Sequence, residues 1–225
     1  MLVRRRKIAL IAISDNIGGA EAVVRAIGRH IDKSTYECLV IVNDEIKPYY
    51  EKAGFHVVSI GALCKSRTYS LVGRVKRKVR SYIPMTMYGL RQKLRCLTEI
   101  LREHQIQIIH SHLIYDHYLV SKLPLQAVKR IMTVHGAFHL DVRAKYIIGK
   151  KAVIETINTS DYVTSACNYF LDLLKKNGLD LSGRSSIVEN GIDTDIEQSV
   201  MDENERTNRD MLRMVFLGGA RPIKG

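Results

Sequence analysis

The sequence predicts an α/β protein, built as a Rossmann-like parallel sheet flanked by helices. The first observation is the alternation of short apolar runs with helical segments along the 225 residues. Strands that are buried on both faces of a parallel sheet have this continuously apolar character. The second observation is that polar residues and histidines directly follow the predicted strands. In a parallel sheet these strand ends share one edge, where ligands bind.

The elements are predicted in chain order from these patterns. The predicted strands cover residues 8–13, 36–43, 56–60, 106–112, 130–136, 162–166 and 186–189. The predicted helices cover residues 20–27, 47–53, 88–104, 115–123, 142–158 and 168–176. Pro124 stops the fourth of these helices, and Asn177-Gly178 is a favourable pair at the C-terminus of the last.

Length and composition indicate the domain organisation. A chain of 225 residues, 46% of them hydrophobic, can form one large domain, or one domain and a fragment of another. We expect a first Rossmann-like domain over residues 1–195, a polar linker over residues 196–213, and the first strand of a second domain over residues 214–225. A strand without a following helix cannot bury its faces, so the rest of the second domain is expected to be missing from this sequence.

The cysteines and the apolar runs favour a cytoplasmic protein. The four cysteines form no C-x-x-C pair, which is typical of buried residues in a reducing compartment rather than of disulfides or zinc ligands. No apolar run approaches the roughly 18 residues that span a bilayer. Basic residues before residues 8–13 resemble a signal peptide, but the apolar part is too short and no small-residue cleavage site follows it.

The net charge of +12 needs an anionic partner to explain it, and residues 65–95 contain ten Lys and Arg residues with no Asp or Glu. Apolar residues are interleaved there at roughly helical spacing. One interpretation is a solvated basic helix face. The other is an interfacial helix on an anionic membrane surface, where each basic residue contributes about 1 kcal/mol. Nucleic acid is not an expected partner, because nothing nearby resembles a recognition module.

Polar residues at the predicted strand ends are the candidate site. The turn Asn16-Ile17-Gly18-Gly19 lies between a strand and a helix, an arrangement that binds phosphate but is also common as a tight connection. His110 and His112 point to the same side of a strand. With His135 and His139 they contain metal-ligating atoms, but nothing in the sequence guarantees that these converge, so no metal is assigned. His135, beside a glycine, is either a substrate contact or a structural histidine that caps a loop.

Several motifs occur together in a family order and spacing. They are Gly18-Gly19-Ala20-Glu21, Ile109-His110-Ser111-His112, Thr133-Val134-His135-Gly136, Val163-Thr164-Ser165-Ala166, Glu189-Asn190-Gly191-Ile192-Asp193 and Val215-Phe216-Leu217-Gly218-Gly219-(x)4-Lys224-Gly225. Over essentially its whole length the chain resembles the N-terminal domain of family 4 retaining glycosyltransferases of the GT-B architecture. Such enzymes have two Rossmann-like domains with the active site in the cleft between them.

The resemblance implies roles for particular residues. Gly18 and Gly19 would face the donor diphosphate, and His135 would orient the donor sugar as the catalytic residue. Lys224 would contact the donor phosphates, with Arg221 as the nearest arginine because Gly219 occupies the position where the family usually has one. The residues expected on the acceptor side are Asn16, His110, His112, Glu189 and Asn190. In the family the second domain binds the nucleotide and supplies an acidic E-x7-E pair, and both are expected to lie beyond Gly225.

The expected activity is the transfer of a sugar from a nucleotide-sugar donor to a glycan or lipid-linked acceptor. Polysaccharide or lipopolysaccharide biosynthesis at the inner face of the cytoplasmic membrane would suit the basic segment. No cofactor is expected, since backbone N–H groups and basic side chains can neutralise the leaving diphosphate. The alternatives are a sugar-nucleotide epimerase of the GT-B fold and a non-catalytic module that binds the acceptor or the membrane.

Overall fold

The computed structural model describes residues 5–61, 87–136 and 150–191. These residues all belong to one compact unit, Met1–Ile192, and a second unit comprises Asp193–Gly225. The predicted linker, the predicted strand over residues 214–225, Arg221, Lys224 and His139 lie outside the described residues, as does most of the basic segment over residues 65–95. The predicted helix over residues 142–158 is described from residue 150 onward.

Among the described residues, seven parallel strands form one sheet in the order β3-β2-β1-β4-β5-β6-β7. The strands are β1 (Arg6–Ala12), β2 (Tyr36–Val42), β3 (Val57–Ser59), β4 (Ile108–Ser111), β5 (Lys129–Val134), β6 (Tyr162–Ser165) and β7 (Ser185–Ile187). The helices are α1 (Gly19–His30), α2 (Lys47–Glu51), α3 (Met87–Glu103), α4 (Ile114–Ser121), α5 (Lys150–Asn158) and α6 (Asn168–Lys176). The predicted Rossmann-like parallel sheet is confirmed.

Both faces of β1 are buried, which explains its continuous apolar sequence. Ala9 and Ile11 lie in a cluster with Leu97 and Ile100 of α3 on one face. Leu10 lies on the other face, in a cluster with Val24 of α1 and Tyr50 of α2. A third cluster joins β5 and β6 to α5 and α6. The alternation of side chains along a strand therefore supplies two apolar layers from one short run.

The predicted boundary of β4 is wrong at both ends, for local reasons. Gln105 has a positive φ of 54°, and Ile106 still donates its N–H to the carbonyl of Leu101. These residues close the C-terminus of α3, so the strand begins only at Ile108. The strand ends at Ser111, and His112 lies just beyond it.

Candidate active site

The candidate site lies at the carboxyl edge of β1, β4 and β5, which are neighbours in the sheet. Register aligns Ile11 with Ser111 and Ser111 with Met132. The segments that follow these three strands therefore leave the sheet side by side. They carry the glycine turn, His112 and His135, respectively. Parallel α/β sheets bind their ligands beyond this edge.

The glycine turn is held by its own side chains. Ser14 Oγ donates to the carbonyl of Asn16 at 2.6 Å. The buried Glu21, three residues into α1, accepts the N–H of Gly18 at 2.8 Å. This carboxylate accepts a hydrogen bond from one of the N–H groups at the start of the helix. The N–H groups of Gly19 and Ala20, in the first turn, have no intrahelical acceptor.

Clearance, rather than backbone conformation, explains why glycine suits this turn. Gly18 has φ −133° and ψ −163°, an extended conformation that any residue adopts. A Cβ on Gly18 would meet Glu21 Oε2 at 3.1 Å, whereas a Cβ on Gly19 would find no described atom within 4 Å. Gly19 therefore leaves open space through which a ligand can approach the backbone.

A buried carboxylate connects β1 to α4. Asp116 is fully buried, and each of its oxygens accepts the N–H of Ile13 at 3.2 Å. It also accepts the N–H of Leu113, while burial raises its pKa well above the ordinary value. The contact fixes the point at which the chain leaves β1 and enters the glycine turn.

The histidines form a row across the strand edge. The ring centroids of His110 and His112 are 4.2 Å apart, and those of His112 and His135 are 5.3 Å apart with nearly parallel planes. His112 Nδ1 lies 3.1 Å from His135 Nε2, a hydrogen bond between the two rings. The prediction that His110 and His112 point to the same side is confirmed by the close contact of their two rings.

Hydroxyl groups fix the strand side of the row. His110 Nε2 lies 2.7 Å from Thr133 Oγ1, which is 2.6 Å from Thr164 Oγ1. The buried His117 lies 2.8 Å from Ser111 Oγ through Nδ1 and donates from Nε2 to the carbonyl of Thr133 at 3.2 Å. The rings are therefore held by neighbouring strands and by α4.

Burial keeps the rings of the row neutral. It is the main cause that lowers the pKa of His110 from the ordinary 6.5 to about 4. It lowers the pKa of His112 well below the ordinary value, and neighbouring histidines lower it further. Burial also lowers the pKa of His135, although the negative charge of Glu21 acts in the opposite direction. At neutral pH these rings act as hydrogen-bonding groups rather than cations.

The other predicted site residues are not part of this row. Asn16 lies in the exposed glycine turn, and Glu189 and Asn190 are exposed after β7. Three strands, β4, β5 and β6, separate β7 from β1 in the sheet. Within residues 5–61, 87–136 and 150–191, no group of three or more His, Cys, Asp or Glu side chains is arranged to hold a metal ion.

Glu21, Asp116, His117 and Thr133 support the site but were not predicted to do so from the sequence. A signal for Glu21 was present, because an acidic residue three positions after a helix N-cap commonly bonds back to it. Asp116 has the same spacing from Leu113. Its bond to Ile13, 103 residues earlier, depends on the tertiary fold.

The parallel sheet and its flanking helices define a Rossmann-like α/β domain. A sequence profile described as Glycosyltransferase Family 4 matches residues 17–196. The chain belongs to that family, as the motifs predicted. A comparison with curated protein sequences gives no significant match.

Solved structures share the fold, among them a galactosyltransferase. HepE from Anabaena in complex with UDP-glucose is similar with a TM-score of 0.58 and 12% identity, over 83% of this chain and 44% of that one. The lipopolysaccharide outer core galactosyltransferase WaaB is similar with a TM-score of 0.57 and 15% identity, over 83% of this chain and 46% of that one. Sucrose-phosphate synthase from Thermosynechococcus elongatus is similar with a TM-score of 0.56 and 13% identity, over 84% of this chain and 49% of that one. The chain thus spans less than half the length of these three neighbours.

Proposed function

We propose that this chain forms one wall of the active-site cleft of a glycosyltransferase, which transfers a sugar from a nucleotide-sugar donor to a glycan or lipid-linked acceptor. The observation that carries the proposal is the position of the open Gly19 backbone and of His135 at one edge of a family 4 domain. The complexes of HepE with UDP-glucose, and with UDP and glucose, support a nucleotide sugar as the donor.

Each of the proposed site residues has a role that fits such a reaction. The sugar leaves a nucleoside diphosphate, so the protein has to stabilise negative charge there and hold the acceptor hydroxyl in line. In this proposal the Gly18-Gly19 turn borders the diphosphate, and Arg221 and Lys224 supply positive charge to it. His135, neutral because it is partly buried, orients the donor sugar by hydrogen bonding rather than by charge.

The acceptor is proposed to be a glycan or a lipid-linked saccharide of cell-surface polysaccharide or lipopolysaccharide biosynthesis. WaaB is a lipopolysaccharide galactosyltransferase of the same fold, and the basic residues 65–95 would suit peripheral attachment to an anionic membrane. Among the described residues, no helix combines the length and apolar character that crossing a bilayer requires.

Product analysis tests this function against its alternatives. The protein is incubated with radiolabelled nucleotide sugars and with membrane lipids as acceptor. Transfer predicts that label enters the lipid or glycan fraction as nucleoside diphosphate is released. Release of free sugar and nucleotide without an acceptor would instead indicate an epimerase. Binding to anionic vesicles, with no nucleotide sugar consumed and no thermal shift with any of them, would indicate a non-catalytic module.

A further inference from the structure

His112 is a buried imidazole with one hydrogen bond. Its side chain is fully buried, and its Nδ1 contacts His135 Nε2 at 3.1 Å. Its other nitrogen, Nε2, has no hydrogen-bond partner in the described part of the chain. Two neutral imidazoles share a single proton across such a contact, so one ring donates and the other accepts.

The unpartnered nitrogen indicates which ring donates. If His135 donated from Nε2, the proton of His112 would lie on its own Nε2, giving a buried N–H without an acceptor. Buried N–H groups of that kind are rarer than under-satisfied acceptors. If His112 donates from Nδ1, its Nε2 is a bare acceptor and no N–H is orphaned. The second arrangement places the proton of His135 on Nδ1.

The groups around the pair leave this arrangement undisturbed. His110, on β4, is bonded to Thr133 of β5. His117, on α4, is bonded to Ser111 and to the carbonyl of Thr133. Glu21, on α1, accepts the N–H of Gly18 through Oε2. His135 is only partly buried, so burial does not close its ring off from a ligand.

We propose that His112 is a positioning residue that fixes His135 as its Nδ1–H tautomer, so that His135 offers a hydrogen-bond donor to an oxygen of the bound nucleotide sugar. The substrate part of this inference rests on the proposed function, whereas the tautomer is a property of the chain alone. A free imidazole in water favours the Nε2–H form. The contact with His112 therefore reverses the intrinsic preference of His135.

Nitrogen-15 NMR of the imidazole rings at neutral pH tests the assignment on the 225-residue chain without any ligand. Long-range correlations identify the protonated nitrogen of each ring. The expected spectrum shows His135 protonated on Nδ1 and His112 protonated on Nδ1. A spectrum with His135 protonated on Nε2 would overturn the proposal. This experiment uses the unmodified chain and needs no variant.

A pair of variants separates positioning from packing. His112→Leu removes the donor and fills the buried volume, and we expect His135 to revert to the Nε2–H form. His110→Gln is the matched control, because the ring of His110 contacts the ring of His112 but makes its hydrogen bond to Thr133. His135 should keep its Nδ1 proton in that variant. Retention of the Nδ1–H form in His112→Leu would contradict the role of His112.

Adding UDP-glucose to the labelled chain distinguishes the two parts of the inference. A shift of the His135 Nδ1–H signal on saturation supports the contact with the donor. If the Nδ1–H tautomer is present and the signal stays unchanged with UDP-, GDP-, ADP- and dTDP-sugars, the substrate role is overturned while the pairing stands.

Discussion

In the proposed function, His135 is the residue that contacts the donor sugar. Its ring is held by His112 on one side and is only partly buried. We expect His135→Ala in the complete enzyme to lower turnover at least about tenfold with the fold intact. His56→Ala, at an exposed histidine that precedes β3 at the opposite edge, is the control. Unchanged turnover in His135→Ala, measured with saturating donor, would reject the catalytic role.

Gly19 tests whether the turn is a ligand site or only a tight connection. A Cβ there meets no described atom within 4 Å, and alanine favours a helix start more than glycine does. We therefore expect Gly19→Ala to leave the thermal midpoint unchanged or slightly raised, while donor binding weakens several-fold because the methyl group occupies the approach to the backbone. Calorimetric titration with the nucleotide sugar measures this. Equal affinity in both proteins would favour the tight-connection interpretation.

At the scale of elements, Asp116 joins β1 to α4. Asp116→Ala leaves the buried N–H group of Ile13, and the N–H group of Leu113, without this acceptor. An unsatisfied buried donor costs roughly 1–3 kcal/mol. We expect the urea midpoint of unfolding to fall in Asp116→Ala. Asp116→Asn keeps one carbonyl oxygen for Ile13 and should lose less. An alanine variant as stable as the parent would show that the two elements do not depend on this contact.

Local sequence predicts most of the strands and helices, but it predicts only part of the candidate site. Apolar runs predict the parallel strands, because burial on both faces leaves no room for polar alternation. Knowing where strands end then predicts that His110, His112 and His135 share an edge. The partners of Asp116 and His117 are not predictable in this way, since their hydrogen bonds join segments that only the folded sheet brings together. The roles of Arg221 and Lys224 stay predictions.

At the scale of the whole molecule, the buried histidines make stability depend on pH. The folded pKa values of His110, His112 and His135 are lowered. Below the unfolded value of about 6.5 the unfolded chain binds protons that the folded chain does not. Stability should therefore fall as pH drops from 6.5 towards 4. His110 alone accounts for up to roughly 3 kcal/mol of this loss.

Asp116 acts in the opposite direction. Its raised pKa means that the folded chain binds a proton before the unfolded chain does, which adds stability as pH falls. The combined effect of three histidines is expected to exceed that of one carboxyl group. The free energy of unfolding should therefore increase with pH between about pH 4 and pH 6.5. Urea unfolding at a series of pH values measures it, and His110→Gln should flatten the curve. A stability that rises steadily on acidification would contradict the burial of these rings.

The most direct test of the account is a titration of the 15N-labelled chain with nucleotide sugars at up to millimolar concentration. If this edge of the sheet binds the donor, at least one sugar nucleotide should saturably shift the amide signals of Gly18, Gly19 and His135. The amides of Gly54 and Gly183, which precede β3 and β7 at the opposite edge, should stay in place. Shifts confined to that opposite edge, or none with any nucleotide sugar, would contradict the donor site.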